Sequence, residues 1–557
     1  MATESRFSIA LVPASFSQLA GFLSMLVICW VVSWGLYFAF FHPLCRYPGP
    51  RLWAAFRVPY VYFNMCGQLP FKVAELHRQY GPVVRIAPDH LSFTDTAAWN
   101  DIYGLQPGRV QNQKDTTVYP PLPPGYQESI ILSQDSVHAR LRKMYGAAFT
   151  PKALDEQSGL LQKYADLLIT QLKAAVKVNT IQDMSAWCTY TRLPYEQARR
   201  LIYRKDNFTT FDLTGEFAFG EAFHCLDRGG QYHFFVDTVM NGLVTGLKMQ
   251  QMQHYGLLTL LKPFIPKSAL KPKDDMDQYT KELVDRRLEK DHTSGTTDIF
   301  TYLYATVSTP EPMSILTKCQ PSRLQQKDEE GELSRAALYE NAITLVVAGS
   351  ETTATLLAGA TYLLCRNPEM LYKVQSEVRS AFKTDSDITS KSVNNLTYML
   401  AVLTESMRMF PPTAFGLPRF IAAKEGQVTR VAIFHQAAYR SEQNFARPDD
   451  FVPERWLPGP PTEFKQDHRD VLQPFMVGPR GCLGKGWAYQ RLRPIIDNNT
   501  DESISLANAE TRLLLAKMLW HFNFELADPE DDWLASLKAF MVWERTALRI
   551  RLQAVER

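Results

Sequence analysis

An apolar run lies close to the start of the chain, over residues 19–41, and contains no charged residue. As an α-helix it would rise about 35 Å at 1.5 Å per residue, enough to cross a hydrocarbon layer of about 30 Å. A cleavable secretory signal has a shorter apolar core of about 7–15 residues. The run therefore predicts a transmembrane anchor over residues 19–41, after a short segment 1–18. A helix buried in a protein core is the alternative.

The residues that flank this run predict its orientation. Arg46, Arg51 and Arg57 follow the run, whereas one acidic and one basic residue before it cancel. Because basic residues gather on the cytoplasmic side of a membrane span, we expect a single-pass anchor with the body of the protein in the cytoplasm. Residues 42–50 are rich in proline, which fixes the backbone and removes N–H donors. They predict a stiff, non-helical hinge.

The rest of the chain shows mostly helical periodicity, with short extended pieces at residues 83–86 and 91–93. A second long apolar run, residues 342–364, predicts a helix of the core. No internal repeat is visible. The pattern predicts one large domain over residues 51–557, mainly α with small β-sheets (α+β).

Composition narrows the possible functions without naming one. The 557 residues are 46% hydrophobic and 12% aromatic, which is enough for a large core and an apolar pocket. Sixty basic residues against 58 acidic ones give a net charge of +2, so nothing indicates nucleic-acid binding. The eight cysteines are scattered and form no C-x-x-C pair, so neither a zinc site nor a disulfide framework is indicated, and a reducing compartment is expected.

One cysteine lies in a run with a distinctive arrangement of glycine and arginine. Residues 475–484 read F-x-x-G-x-R-x-C-x-G, with Cys482 as the cysteine. A cysteine thiolate is the electron-rich axial ligand that lets a haem iron cleave an O–O bond, and glycines let N–H groups turn toward the sulfur. Arg480 presents a fork of donors that suits a haem propionate. The run predicts Cys482 as the axial ligand of haem iron; a buried structural cysteine is the alternative.

At these residues the chain resembles the cytochrome P-450 family of haem-thiolate monooxygenases. The resemblance extends from about residue 47 to residue 526. It is nearest to membrane-bound fungal enzymes of secondary metabolism, such as the isotrichodermin C-15 hydroxylases, at residues 81–88, 207–212 and 435–440.

The resemblance implies a cytochrome P-450 fold behind the anchor and a location in the endoplasmic reticulum membrane. It implies heme b (iron protoporphyrin IX) with a cysteine thiolate ligand as the cofactor. Electrons would come from NADPH through a separate reductase. The substrate would be an apolar small molecule, a fungal terpenoid or polyketide.

The run Ala-Gly-Ser-Glu-Thr-Thr at residues 348–353 places an acid and two threonines inside the second apolar run. Threonine hydroxyls bond back to the carbonyl one turn earlier and can open a helix locally. Gly349 is expected to leave room for a small ligand. By resemblance this is the oxygen-activation helix, and Glu351 and Thr352 deliver protons. The alternative is a satisfied polar cluster in a core helix.

Glu405 and Arg408 form an E-x-x-R pair, whose i and i+3 side chains lie on one face of a helix. On a surface such a pair would be worth less than about 1 kcal/mol. By resemblance Arg455, in the run Pro-Glu-Arg-Trp, joins the pair and holds the core behind the haem. The resemblance gives these three residues a structural role.

His138 and Arg142 lie one helical turn apart, so that both could reach one haem propionate. The family often has Trp or His at the first of these positions and Arg at the second. Arg419 is a further propionate candidate by the same resemblance. A solvent-exposed pair is the alternative for His138 and Arg142.

Three segments depart from the family pattern. Residues 490–508 contain Pro494 and a polar run, and they interrupt the helix expected directly after the cysteine loop. Residues 189–206 separate two pieces that would otherwise join as in the family. Both segments have the size of a short intron translated in frame. The chain is also short between Arg419 and Val431, where the family has a β-hairpin.

Two function classes stay open at this point. The first is an active membrane-bound monooxygenase. The second is a haem-binding but catalytically impaired protein, because the helix after Cys482 is interrupted. An isomerase or dehydratase of the same family is disfavoured, since Glu351 and Thr352 are both present.

Overall fold

The computed structural model describes residues 16–105, 108, 111–119, 129–188, 209–226, 234–264, 271–290, 298–307, 334–422, 428–485 and 506–556. Within these ranges helices dominate and the strands form small sheets. The predicted class, mainly α with small β-sheets, is confirmed.

The α-helices account for most of the described chain. In order they are α1 (Phe16–Leu36), α2 (Arg51–Ala55), α3 (Val58–Met65), α4 (Leu69–Tyr80), α5 (Ala97–Tyr103), α6 (Asp135–Gly146), α7 (Pro151–Glu156), α8 (Ser158–Val178), α9 (Met184–Cys188), α10 (Thr209–Phe219), α11 (Phe234–His254), α12 (Leu257–Leu261), α13 (Lys271–Glu289), α14 (Ile299–Val307), α15 (Arg335–Arg366), α16 (Pro368–Ala381), α17 (Thr397–Met409), α18 (His435–Tyr439) and α19 (Leu506–His521). A short π-helical turn, Tyr37–Phe41, extends α1.

The strands are short and belong to three small sheets. They are β1 (Val83–Ala87), β2 (His90–Phe93), β3 (Gln113–Lys114), β4 (Ile181–Asp183), β5 (Arg419–Ala422), β6 (Val428–Ile433), β7 (Phe522–Leu526), β8 (Lys538–Ala539), β9 (Trp543–Glu544) and β10 (Arg549–Ala554). The sheet orders are β1-β2-β6-β5-β3, β4-β10-β7 and β8-β9, and among these pairs only β2 with β6 is parallel.

The shortened region between Arg419 and Val431 keeps its β-hairpin. β5 and β6 pair antiparallel, with Arg419 opposite Val431 and Ala422 opposite Val428. The shortening expected from the sequence therefore leaves the hairpin in place. A hairpin needs only a few paired residues on each side, so a shorter sequence removes length and not the pairing.

Helix α15 runs through the core and carries the second apolar run. The Ser334 hydroxyl accepts the N–H of Ala337 (3.1 Å) and caps its start, and Pro368 follows its last turn. Residues 353–364 are all buried, and α10, α17 and α19 pack on this helix. A helix that is buried on every side belongs to a protein core, as its sequence predicted.

The N-terminal helix is the opposite case. Ser17–Phe41 contains an 18-residue stretch with a mean hydropathy of 2.1, yet only 6% of that stretch is buried in the protein. Leu23, Ile28 and Trp30 point outward, with 52%, 61% and 64% of their surface exposed. By length and composition this helix can span a membrane. Arg335–Arg366 is also long and apolar enough to span a membrane, but it is mostly buried in the protein.

Residues 42–50, expected to be a non-helical hinge, contain a 3-10 turn, Pro43–Arg46, and contact one buried arginine of the first sheet. Arg85 of β1 donates from its guanidinium to the carbonyl of Phe38 (2.8 Å), and its backbone N–H donates to the carbonyl of Pro48 (2.7 Å). A Cβ on Gly49 would lie 2.5 Å from the Arg85 carbonyl oxygen. These contacts fix the end of the N-terminal helix relative to the first sheet.

The predicted insertion at residues 189–206 lies outside the described residues, and so does 490–508 except for its last three residues, which begin α19. The described residues on either side of the first segment nevertheless meet. The Thr209 hydroxyl donates to the carbonyl of Trp187 (3.4 Å), so the end of α9 and the start of α10 lie side by side.

Removing residues 1–41 should release the body from integral membrane association, because the described residues contain no other exposed helix long and apolar enough to span a membrane. The measurement is extraction of the membrane fraction with alkaline carbonate, with the full chain as the control. Peripheral sticking through exposed Tyr62, Leu260 and Phe264 should be removed by carbonate. A truncated protein that resists extraction as the full chain does would contradict a single anchor.

Candidate active site

The cysteine loop is a tight turn that only glycine can complete. The N–H of Cys482 donates to the carbonyl of Phe475 (2.8 Å), and the N–H of Gly481 donates to the carbonyl of Gly478 (3.0 Å). Gly478 has φ +77°, and a Cβ there would lie 2.0 Å from the carbonyl oxygen of Tyr103 at the end of α5. Any side chain at this position would force the loop away from α5.

Cys482 lies deep among protein atoms, and yet its side chain is accessible. Burial raises the pKa of its thiol. The backbone N–H groups of Gly484 and Lys485 bond to the sulfur, and the charges of Arg142 and Lys485 favour its ionised form. This donor set suits a thiolate that binds a metal, and it does not resemble the closed environment of a structural cysteine.

Helix α6 contacts the cysteine loop directly. Arg142 donates from Nη1 to the carbonyl of Gly481 (2.5 Å), next to the cysteine. One turn earlier His138 is buried, so the solvent-exposed alternative for this residue does not describe the structure. Burial and the nearby charges of Arg480, Lys114 and Arg142 lower the pKa of His138 to about 4.

Cationic side chains from three separate segments converge beside this helix. Burial, together with the charges of Arg480 and Arg419, lowers the pKa of Lys114 to about 7. Arg480 donates from Nη2 to the carbonyl of Ser133 (2.8 Å) and to Asp135 (2.7 Å), while its buried Nη1 has no hydrogen-bond partner among the described residues. Positive groups that repel one another and an unsatisfied guanidinium nitrogen fit an anionic ligand such as the two propionates of haem.

No sequence pattern indicated Lys114 as a site residue, although its side chain belongs to this cationic cluster. It lies opposite Arg419 in the pairing of β3 with β5. Its nearest sequence neighbours carry no motif, and the strand that brings it to Arg419 is two residues long. Only the sheet pairing, over about 300 residues of chain, places the two cations together.

Glu351 and Thr352 lie side by side in the middle of α15 but face different surroundings. Thr352 is partly accessible, and its hydroxyl donates to the carbonyl of Ala348 (2.7 Å). Glu351 is 1% exposed and pairs with Arg545, whose Nη2 lies 2.6 Å from Oε1 of the carboxylate. Burial raises the pKa of Glu351 to about 7, although Arg545 opposes the shift.

Gly349 does not open a space for a small ligand as expected. A Cβ there would lie 3.0 Å from Cγ2 of Thr214, so this glycine lets α10 pack closely on α15. The helix is continuous through this run, so the local opening expected from the threonines is not seen.

A second buried acid next to this site was not among the predicted residues. Glu510 of α19 is 4% exposed and bonds to Thr353, and burial raises its pKa to about 8. It lies on the helix that was expected to follow the cysteine loop directly, beyond residues 490–508. Its contact with Thr353 shows that this helix packs against residues 348–353 of α15.

Glu405, Arg408 and Arg455 form one fully buried ion network. Arg408 meets both oxygens of Glu405 at 2.8 Å, and Nε of Arg455 lies 3.2 Å from Oε1. The backbone N–H of Val452 and the indole N–H of Trp456 also donate to the Glu405 carboxylate. Burial opposes its ionisation, but the two arginines outweigh this and hold the pKa of Glu405 below its ordinary value.

Helical core, small sheets and an accessible cysteine in a glycine-rich loop together define a haem-thiolate protein. The chain belongs to the cytochrome P-450 family, whose model matches residues 47–497. This confirms the resemblance seen in the sequence, and the protein is an oxidoreductase of the cytochrome P-450 monooxygenase type. The family implies haem with a cysteine thiolate and electrons supplied by a reductase.

Its relatives are fungal. It is 34% identical to cytochrome P-450 monooxygenase lcsI of Purpureocillium lilacinum, over 97% of this chain and 95% of the relative. It is 34% identical to the trichothecene C-4 hydroxylase of Trichoderma arundinaceum, over 94% of each chain. It is 33% identical to the averantin hydroxylase of Dothistroma septosporum, over 94% of this chain and 90% of the relative.

Changing Glu405→Gln should destabilise the protein by about 3–5 kcal/mol, because buried Arg408 loses its carboxylate partner and Arg455 keeps only Asp467. The measurement is the free energy of unfolding together with the haem content of purified protein. Glu75→Gln is the matched control, since Glu75 pairs with Lys72 on the surface and its loss should cost less than about 1 kcal/mol. Equal stability of the two variants would contradict the structural role of the network.

Proposed function

We propose that the protein is a membrane-bound monooxygenase that hydroxylates an apolar fungal secondary metabolite. The observation that carries the proposal is the accessible Cys482 sulfur, with N–H donors on one side and a cationic cluster nearby. Cys482 would hold heme b, which when bound supplies oxygen activation with electrons from NADPH through a separate reductase. The candidates to hold its propionates are Arg480, His138, Arg142, Arg419 and Lys114.

The side chains of α15 would supply protons during turnover. The Thr352 hydroxyl donates to the carbonyl of Ala348, one turn earlier, and the side chain stays partly accessible. Thr352 could therefore pass a proton toward the haem site. Glu351 directly precedes Thr352 on α15 and is buried. Its carboxyl would take up a new proton there after giving one to Thr352. General acid help of this kind is typically worth about 10²–10⁴ in rate.

The chemical class of the substrate is inferred from the relatives. Two of them are named for hydroxylation of a trichothecene and of averantin. Together with the apolar composition of the chain, these names support a terpenoid or polyketide as the substrate. Phe415 and Leu417, which precede Arg419, are the candidates to line the pocket.

The proposed organisation is a segment 1–18, an anchor 19–41, a hinge 42–50 and a monooxygenase domain 51–557. The exposed apolar helix and the arginines that follow it support a single-pass protein of the endoplasmic reticulum, with its body in the cytoplasm. Nothing in the described residues favours the catalytically impaired alternative, since α19 is buried and contacts α15 through Glu510.

Replacing Cys482 by alanine should abolish the thiolate-type absorption band of the reduced, carbon-monoxide-bound protein and leave it in the membrane fraction. The reason is that no other cysteine lies beside the cationic cluster in the described part of the chain. Cys66→Ala is the control, because Cys66 is exposed outside this site and its loss should leave the band intact. A thiolate band that persists in the Cys482→Ala variant would overturn the proposed ligand.

We also propose that residues 189–206 and 490–508 are insertions, with the length expected of translated introns. If residues 189–206 were absent, Thr209 would be the fourth residue after Trp187. Its hydroxyl already bonds to the Trp187 carbonyl, the i to i−4 contact that Thr214 makes with Thr210 (2.6 Å) within α10. The two ends thus have the relation of neighbouring turns in one helix, which supports a single helix running from α9 into α10.

Deleting either segment should therefore raise haem content and thermal stability. Loop closure of 18 residues alone costs about 2–3 kcal/mol, and each deletion also restores a continuous helix. The measurement is haem per protein and the unfolding temperature at matched expression. Deletion of residues 315–332, as long as the first segment and one residue shorter than the second, is the control. Equal or lower haem content in the two test deletions, relative to the full chain, would contradict the insertion proposal.

A further inference from the structure

Arg545 is a buried arginine from the C-terminal region whose side chain reaches the centre of α15. It lies in the turn between β9 and β10, 194 residues along the chain from Glu351. Nη2 donates to Oε1 of Glu351 (2.6 Å), and Nη1 donates to the hydroxyl of Thr355 on the next turn of α15. The side chains of the pair are 1% and 2% exposed, so water does not screen the interaction.

The turn that carries Arg545 is fixed on both sides. Before it, Trp543 donates its indole N–H to the carbonyl of Pro411 (2.9 Å) and packs on Phe410, with ring centroids 4.3 Å apart. After it, the N–H of Leu548 donates to Asp183 (2.9 Å). Arg545 is therefore presented to α15 by a rigid support.

The pair differs from the buried structural network of the same protein. In the Glu405 network both carboxylate oxygens are occupied, each by at least two donors. In the Arg545 pair, Oε2 of Glu351 is buried and has no hydrogen-bond partner among the described residues, and Nε of Arg545 has none either. Arg545 and the Thr355 hydroxyl thus bond to the Glu351 carboxyl, and its Oε2 keeps no hydrogen-bond partner among the described residues.

We propose that Arg545 is a positioning residue for proton delivery, which orients Glu351 and keeps its carboxyl able both to take up and to release a proton near neutral pH. This inference rests on the proposed role of Glu351 and Thr352. Arg545 is the one charged group that acts on this carboxyl among the described residues; Glu510, a buried acid of α19, bonds instead to Thr353.

The electrostatics agree with this geometry. Burial raises the pKa of Glu351 to about 7, and Arg545 is the main influence that holds it down. An opposite charge at this range typically lowers the pKa of a carboxyl by about 1–3 units. Without Arg545 the carboxyl would stay protonated through neutral pH, and a proton donor works best when its pKa lies near the working pH.

The first test needs no substrate. The protonated carboxyl band of Glu351 is followed by infrared difference titration of the haem-loaded protein and is assigned with Glu351→Gln. Arg545→Gln should move the midpoint upward by about 1–3 pH units. Arg545→Lys, which keeps the charge, should move it by less than about one unit. A midpoint that does not move in Arg545→Gln would overturn the inference.

Arg287→Gln is the matched control for loss of a buried ion pair. Arg287 pairs with Asp298 between α13 and the start of α14, and both side chains are as buried as those of the Arg545 pair. The control should lower the stability of the protein without moving the Glu351 band. If it moves the band as Arg545→Gln does, the shift reflects general loosening and the inference fails.

The second test is turnover with NADPH, a reductase and oxygen, with hydrogen peroxide released per NADPH as the readout. Thr352→Ala and Arg545→Gln should both raise this fraction, and Arg545→Gln should have no further effect in a Glu351→Gln background. An equal Arg545→Gln effect with and without Glu351 would overturn the inference.

The two proposals fail in different ways. If Thr352→Ala raises peroxide while Arg545→Gln leaves both the peroxide and the band unchanged, the positioning role fails and the proposed function stands. If the unmodified protein lacks the thiolate band, the proposed function fails. If Arg545→Gln alone does not fold, the double variant Glu351→Gln, Arg545→Gln should fold and match Glu351→Gln in peroxide release; a mismatch would count against the inference.

Discussion

An ionised sulfur can be kept deep inside a protein only if donors and positive charges surround it, and the architecture around Cys482 follows from this constraint. Gly478 allows the loop to turn against α5, which leaves the N–H groups of Gly484 and Lys485 directed at the sulfur. Arg142 adds a charge from α6 while binding the loop carbonyl beside the cysteine. The contacts around the Cys482 sulfur therefore hold the loop, α5 and α6 in fixed positions relative to one another.

The same protein buries carboxylates for two different purposes. Glu405 is surrounded by donors on both oxygens, and its pKa is held low, so it remains ionised and acts as a fixed centre for Arg408 and Arg455. Glu351 is equally buried, but it has one arginine and one open oxygen, and its pKa is raised to about 7. The number of donors, and not the depth of burial, separates a structural carboxylate from one that can exchange a proton.

Local sequence motifs predicted much of this site because they place residues within one turn or one loop. The cysteine loop, the acid and threonine of α15, and the i and i+3 pair of Glu405 and Arg408 are of this kind. Lys114 and Arg545 could not be predicted in this way, since each reaches its partner through a strand or turn far along the chain. The sequence pattern also predicted the wrong role for Gly349. Whether a glycine faces a ligand or a neighbouring helix depends on tertiary packing, here that of α10 on α15.

The two predicted insertions have a common setting. Each falls in or next to a helix that packs on α15: α9 and α10 flank the first, and α19 follows the second. Helices in such positions are buried, so an interruption can be accommodated only if the chain re-enters in the register that the core requires. The Thr209 hydroxyl, bonded to the carbonyl of Trp187 as in an unbroken helix, shows that this register is kept at the first site. The contact of Glu510 with Thr353 shows that α19 likewise returns to the central helix. The packing surface of α15 therefore decides where these helices lie, and continuity of the chain between them is secondary.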